Sequence, residues 1–216
     1  MDAGVLPVKQ IAEAKTRLGP HFDPAARAEI VRALIDDALA LCTSTGFLSW
    51  WVVSRDPEVL SLARDQELNT ILETGQGLNE AVAQAVAVIK EAGAGSMTVV
   101  PADIPLAWAG DLRDLLDTGA TSDSVVVPAA RGGGTNALYL DPPDLIAPRF
   151  GPSSLQAYLS ASEAAGHRCS ILSLPRLALD IDTIADVDTY LARPKPAASA
   201  TQKVLERLRP AVPLSD

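Results

Sequence analysis

The chain has 216 residues, a formal net charge of −9 and a sequence pI of about 4.7; 48% of residues are hydrophobic and 21% charged. That length and composition suit one large α/β domain with a substantial core and exclude a disordered chain. The acidic balance, without a Lys/Arg-rich block, argues against a nucleic-acid partner, and no run of eighteen apolar residues suggests a membrane span.

Gly4–Val8 reads as a first strand, followed by a polar, basic loop from Lys9 to His21. Asp23-Pro24 opens a long helix, with apolar Ile30, Val31, Leu34, Ile35, Ala38 and Leu41. Phe47–Val53 is a β-branched and aromatic strand, Pro57–Arg64 a short helix, and Asn69–Leu72 a short strand. Gly75-Gln76-Gly77 breaks the chain, and Leu78–Ala92 is a helix with Val82, Val86 and Ile89 on one face. Met97–Val100 is a strand, Leu112–Leu116 helical, Ser124–Val127 a buried strand, and Asn136–Leu140 a further strand after a tri-glycine turn. Ser153–Ala165 is a helix, Arg168–Leu172 a strand, and Asp180–Thr183 leads into a helix through Leu191. Residues 1–193 thus form one α/β domain, a mostly parallel sheet with helices on both faces. Residues 194–216 are a linker and tail, in which Thr201–Leu208 is a candidate helix stopped by Pro210 and Pro213.

Cys42 and Cys169, with no CxxC, read as small buried hydrophobes in a reducing compartment. Met1-Asp2 is not a basic leader, so a cytoplasmic protein is expected. His21 and His167 are expected at exposed helix ends, outside any nucleophile–His–Asp context. HExxH, GxSxG and G-x-x-x-x-G-K-[ST] are all absent. Trp50, Trp51 and Trp108 read as core or interface residues, which leaves a homodimer open.

Several segments remain that could carry chemistry. Lys9, Lys15 and Arg17 directly follow the first strand, where they could face a triphosphate or simply be solvated. Gly75-Gln76-Gly77-Leu78-Asn79-Glu80 combines close backbone approach with a helix N-terminus. There Asn79 could read a base or ribose edge; a plain helix cap accounts for the segment equally well. Arg131-Gly132-Gly133-Gly134-Thr135 is a ligand-hugging turn or a flexible hairpin, and Ser153 or Ser154 either caps a helix or helps to hold an anion.

Asp103 follows an apolar strand, while Asp180 and Asp182 alternate around Ile181, so in extended chain both carboxylates point the same way. Three such carboxylates at the ends of strands suit Mg²⁺, which relieves their mutual repulsion; the competing reading is a turn and a helix cap.

Taken in order, these pieces resemble the guanylyltransferase family of deazaflavin coenzyme (factor 420) biosynthesis, which has a nucleotide-diphospho-sugar-transferase-like fold. The resemblance rests on Pro7-Val8-Lys9, Ala14-Lys15-Thr16-Arg17-Leu18, Gly77-Leu78-Asn79-Glu80-Ala81, Ala102-Asp103-Ile104-Pro105, Gly134-Thr135, Arg149-Phe150-Gly151-Pro152-Ser153-Ser154 and Asp180-Ile181-Asp182-Thr183. It spans roughly Val5 to Leu191. Ala102 stands where the family usually has Gly, and the tail after Arg193 has no counterpart.

The resemblance implies that a phosphorylated three-carbon acid attacks the α-phosphorus of GTP and pyrophosphate leaves. The acid is phosphoenolpyruvate in bacterial members and 2-phospho-L-lactate in archaeal ones, and the product passes to a downstream deazaflavin transferase. The tri-glycine and Arg149-Phe150-Gly151 segments look closer to the bacterial members. Carried over, Asp103, Asp180 and Asp182 hold Mg²⁺, and Lys15 and Arg17 act with Asp103 in catalysis. Lys9, Lys15, Arg17, Gly77 and Asn79 bind the nucleotide, and Thr135, Gly151 and Ser154 bind the acid. The attacking phosphate oxygen is already anionic, so no general base is required. A nucleotidyltransferase with another phosphorylated acceptor and a non-catalytic nucleotide-binding relative are the alternatives.

Overall fold

The computed structural model describes residues 1–195 and 199–208. Seven strands form one sheet: β1 (Asp2–Pro7), β2 (Ser49–Ser54), β3 (Asn69–Leu72), β4 (Ser96–Val99), β5 (Ser124–Pro128), β6 (Thr135–Leu140) and β7 (Cys169–Ile171), in the order β3-β2-β1-β4-β6-β5-β7. The pairs β1–β2, β2–β3, β1–β4 and β5–β7 are parallel, whereas β6 runs antiparallel to both β4 and β5. The expected mostly parallel sheet is thus present, with β6 reversed within it.

The helices are α1 (Pro24–Ser44), α2 (Pro57–Asp65), α3 (Leu78–Glu91), α4 (Ala109–Gly119), α5 (Ser154–Ala165), α6 (Ile184–Leu191) and α7 (Ala200–Leu208). Strand side chains alternate between two apolar layers, as the pleat requires. Leu6, Trp50, Val52, Val125 and Tyr139 pack on α1, α2 and α4; Val5, Trp51, Val53, Val126 and Leu138 pack on α3 and α5. Those strands are buried on both faces, which is why they read as unbroken apolar runs.

α1 starts where its sequence says it should: Pro24 occupies the first turn and the Asp23 carboxylate accepts from Ala26 N at 2.8 Å. α4 is longer than the expected Leu112–Leu116, because the Asp111 carboxylate accepts from Trp108 N at 3.1 Å and secures an extra first turn. Trp50 and Trp51 are core residues, but Trp108 is 51% exposed, with the Arg176 guanidinium stacked on its ring. Cys42 is buried as expected; Cys169, on the edge strand β7, is half-buried. His21 is exposed and His167, just past α5, is half-buried.

A third apolar cluster forms at the ligand edge of the sheet. It joins Leu18 and Phe22 of the first loop, Ile30 and Leu34 of α1, Leu179 and Ile181, Val187 and Tyr190 of α6, and Leu205 of α7. The expected terminal helix is therefore present and belongs to this core. Its start is held by Asp37 of α1, which accepts from Ser199 Oγ at 2.7 Å, Ala200 N at 2.7 Å and Thr201 N at 3.0 Å. Pro196, Ala197 and Ala198 of the expected linker, together with Pro210 and Pro213, lie outside the described residues.

Candidate active site

After β1 the chain leaves towards β2 and β3, then returns to place β4 on the other side of β1. That reversal opens a crevice beyond the carboxyl ends of β1 and β4, where open α/β sheets bind ligands. A cavity of about 1050 Å³ lies there. It is large enough for a nucleotide and a small second substrate together.

Two of its walls carry the acidic residues. Asp103 follows β4, and the segment with Asp180 and Asp182 follows β7; Ile181 N donates to Asp103 O at 3.0 Å, which stitches the two together. Ile181 is fully buried and the aspartates on either side are not, so the expected alternation holds. One carboxylate oxygen from each of Asp103, Asp180 and Asp182 lies within 4.8 Å of the other two. Asn136 Nδ2 orients Asp180 by donating to Oδ1 at 3.1 Å. The cap reading of Asp182-Thr183 also holds in part: Thr183 is the N-cap of α6, and the bonds to its amide and hydroxyl are accepted by Asp186, which leaves Asp182 facing the cavity.

The Lys15 ammonium sits among these carboxylates, 2.6 Å from Asp103 Oδ2 and 2.8 Å from Asp182 Oδ1. Burial on its own would lower the Lys15 pKa, but the charges of Asp103 and Asp182 outweigh it and raise the value above the ordinary lysine range. Burial likewise pushes Asp182 up, and Lys15, then Arg17 and Lys9, pull it below the usual carboxylate range. Arg17 Nη1 is 3.6 Å from Asp182 Oδ2 on an exposed side chain, and Lys9 lines the cavity from an exposed position. The residues fit a divalent cation: three carboxylates converge, and a protein cation already stands between two of them.

The third wall comes from β6 and α5. Gly132 and Gly133 adopt φ of 75° and 65°, which favour glycine, and a Cβ on Gly133 would meet the Ser153 backbone at 3.8 Å. The tri-glycine segment lies beside the start of α5, where Leu155 N donates to Gly133 O at 3.2 Å. Thr135 and Gly151 line the cavity. Ser154 is buried behind Thr135 and donates to its Oγ1 at 3.0 Å, so it supports that hydroxyl and is not itself on the cavity wall. Neither serine side chain caps α5, since Ser153 occupies the N-cap in a left-handed conformation without a capping bond.

Gly77, with φ 84°, opens α3 at the far wall and lines the cavity. Asn79 does not. Its Oδ1 accepts from Phe150 N at 2.7 Å and its Nδ2 donates to Phe150 O at 3.0 Å, so the amide is spent fastening α3 to the Gly151 turn.

The sequence reading missed Arg55, Glu73 and Asp186 and named Arg131 only as part of the glycine-rich turn; all four line the cavity. Arg55 and Glu73 each follow a strand directly, the same signal that exposed Asp103. Asp186 is 4% exposed in its side chain; it pairs with Arg131 of the glycine-rich turn and accepts from Asp182 N at 3.2 Å.

Residues 3–212 match the family described as Guanylyl transferase CofC like. A phosphoenolpyruvate guanylyltransferase of Rubrobacter xylanophilus is 35% identical over 184 residues, 85% of this chain and 90% of that protein. A 2-phospho-L-lactate guanylyltransferase of Methanocaldococcus jannaschii is 30% identical over 184 residues, 85% and 79% of the two. Among solved structures, a Desulfovibrio desulfuricans protein provisionally named a nucleotide-diphospho-sugar transferase superposes with a TM-score of 0.79 at 18% identity, covering 95% of this chain and 94% of its own. Another, Rv0371C of Mycobacterium tuberculosis solved in complex with manganese, superposes with a TM-score of 0.52 at 17% identity, covering 87% and 96%. On the match over nearly its whole length and the named relatives at 30% identity and above, the chain belongs to the CofC-like guanylyl transferase family and is a nucleotidyltransferase.

Proposed function

We propose that the enzyme transfers GMP from GTP to the phosphate of phosphoenolpyruvate, giving enolpyruvyl-diphospho-guanosine and pyrophosphate, with Mg²⁺ as its metal. The observation that carries this reading is the convergence of Asp103, Asp180 and Asp182 on one ligand edge, beside loops suited to two anionic substrates.

In this reading Asp103, Asp180 and Asp182 hold Mg²⁺, which when bound neutralises phosphate charge. Lys15 and Arg17 face the triphosphate, with Lys9 at its outer side. Gly77 gives the nucleotide close backbone approach, and Asn79 steadies that wall through Phe150. Thr135, oriented by Ser154, and the Gly151 turn hold the acid. A phosphate oxygen of the acid forms a bond to the α-phosphorus, the bond from that phosphorus to the β-bridging oxygen breaks, and its electron pair leaves with pyrophosphate. No side chain has to remove a proton. Cations must offset the repulsion between two polyanions, which for unit charges ~4 Å apart is about 4 kcal/mol at a protein-surface dielectric.

The identity with the Rubrobacter relative favours phosphoenolpyruvate, and the Methanocaldococcus relative keeps 2-phospho-L-lactate as the second acceptor. We place the reaction in deazaflavin coenzyme biosynthesis, in the cytoplasm, with the product passed to a downstream transferase and the enzyme open to homodimer formation. No helix among the described residues is long and apolar enough to cross a membrane.

The test is mass spectrometry of products from GTP with each acid in the presence of Mg²⁺. The diphospho-guanosine product should appear with phosphoenolpyruvate. Product with 2-phospho-L-lactate alone would reassign the acceptor, and no pyrophosphate with either acid would reject the reading. Asp103→Asn should reduce turnover at least 1000-fold with the fold intact; retained activity would remove the aspartate from the site.

A further inference from the structure

The cavity continues past β1 to the ends of β2 and β3, where Arg55, Glu73 and Gln76 line it. Ser54 pairs with Leu72 in parallel register, so the next residues, Arg55 and Glu73, emerge side by side. Glu73 N donates to Ser54 O at 2.9 Å and fixes that register one residue beyond the strands.

The Glu73 side chain is 9% exposed, and Arg55 Nη2 lies 3.3 Å from its Oε1. Among the described residues that is its only side-chain partner; Oε2 is left for a ligand. Arg55 is held from behind, because the same Nη2 donates to the Gly75 carbonyl. Oε2 stays open to the cavity, where a ligand that donates can complete the carboxylate.

The position suits a nucleobase. In the order β3-β2-β1-β4, Glu73 stands three strands away from Asp103. At ~4.8 Å per strand that is about 14 Å, a gap that a nucleoside triphosphate bridges when its phosphates lie at the aspartates. Pro7, Leu78 and Ala81 give this end apolar walls for a ring face.

The pair's polarity selects the base. Guanine presents two donors, N1–H and the 2-amino group, beside an acceptor, O6. A carboxylate accepts both donors at once, and an adjacent guanidinium donates to O6. Adenine reverses the pattern: its 6-amino group would face the guanidinium, and the lone pair of N1 would face the carboxylate.

We propose that Glu73 and Arg55 read guanine, with Glu73 accepting from N1–H and the 2-amino group and Arg55 donating to O6. This inference rests on the guanylyl-transfer reading and assigns the residues that make the enzyme choose its nucleotide.

The experiment is calorimetric binding of GTP, ITP, XTP and ATP to the full chain and to Glu73→Gln, with Mg²⁺ and without acceptor. The unaltered protein should bind GTP at least 100-fold tighter than ATP, and ITP, which lacks the 2-amino group, about 10-fold more weakly than GTP. Glu73→Gln should lose at least 30-fold for GTP and gain about 10-fold for XTP, because the glutamine amide donates to the 2-oxo group; ATP should be unchanged. The gain for XTP is a result that simple damage to the site does not produce. Equal binding of GTP and ITP by the unaltered protein overturns the assignment without any variant. A guanine preference that survives Glu73→Gln overturns it while leaving guanylyl transfer standing. No guanine preference in the unaltered protein overturns both.

Discussion

The Lys15 ammonium reaches Asp103 Oδ2, at 2.6 Å, from a backbone that is itself held in the left-handed region, with φ 56° and ψ 39°. For a residue other than glycine that conformation costs on the order of 1–3 kcal/mol, and it persists because Leu18 and Phe22, just beyond it, are locked into the apolar cluster under α1 and α7. Lysine therefore occupies ground that a divalent cation would also seek. Lys15→Met should bind Mn²⁺, measured calorimetrically without nucleotide, about 10-fold more tightly than the unaltered chain, while GTP turnover falls at least 100-fold. Unchanged or weaker Mn²⁺ binding would show that the amine does not compete for the carboxylates.

Asp186 and Arg131 form a pair whose two members should behave unequally. Arg131 is mostly exposed, so Arg131→Ala should cost less than about 1 kcal/mol of stability. Asp186 is buried and accepts from the amides of Asp182 and Thr183 and the Thr183 hydroxyl. Asp186→Ala should cost about 2–3 kcal/mol and weaken metal binding through the backbone of Asp182. Urea denaturation of both variants checks this; equal losses would mean that Asp186 acts only through Arg131.

Asp37 secures the C-terminal helix, and that helix backs the loop carrying Lys15. Asp37→Ala leaves the amides of Ala200 and Thr201 without their acceptor and should cost about 2 kcal/mol. Thermal unfolding gives the loss, and limited proteolysis should show α7 cut first. An unchanged midpoint would mean that Leu205 and its neighbours dock the helix unaided.

Alkaline pH should destabilise the fold in a defined window. Burial pushes Tyr158 and Tyr190 up to about 12 and drives the Cys42 thiol well above its ordinary range. The unfolded chain then loses these protons first, at about pH 8.5 for the thiol and about pH 10 for the phenols. Stability is thus complete below those values and falls as pH rises, by about 1.4 kcal/mol per pH unit for each group in its window. Tyr158→Phe should cost about 1 kcal/mol at neutral pH, since Arg149 N loses its 2.8 Å bond, and should flatten the decline above pH 10. Chemical denaturation from pH 7 to 11 measures this, and an equally steep decline in the variant would exclude Tyr158 as a source.

Much of the fold is legible in the sequence because β1, β2, β4 and β5 are buried on both faces and cannot hide their apolar runs. The reversal of β6 is not, since composition says nothing of strand direction. Asp103, Asp180 and Asp182 were visible as carboxylates ending apolar segments. The pairing of Arg55 with Glu73 was not, because it depends on the register between β2 and β3. The pairing of Asn79 with Phe150 was hidden for a chemical reason: an amide that can read a base serves a peptide group equally well, and only the fold brings that peptide group to it. The bond from Ser154 to Thr135 was not legible either, since it depends on where the start of α5 meets β6.

The reversed strand β6 has a consequence for charge. A strand running against its neighbours presents its beginning where they present their ends, so Thr135 and the start of α5 arrive at the ligand edge together. That wall is made largely of main chain entering regular structure, whose partial positive charges attract an anion only at close range. Beyond a Debye length of about 10 Å such a surface exerts little pull. A molecule of net charge −9 can in this way cradle small phosphorylated partners, with its attraction for them confined to the cavity.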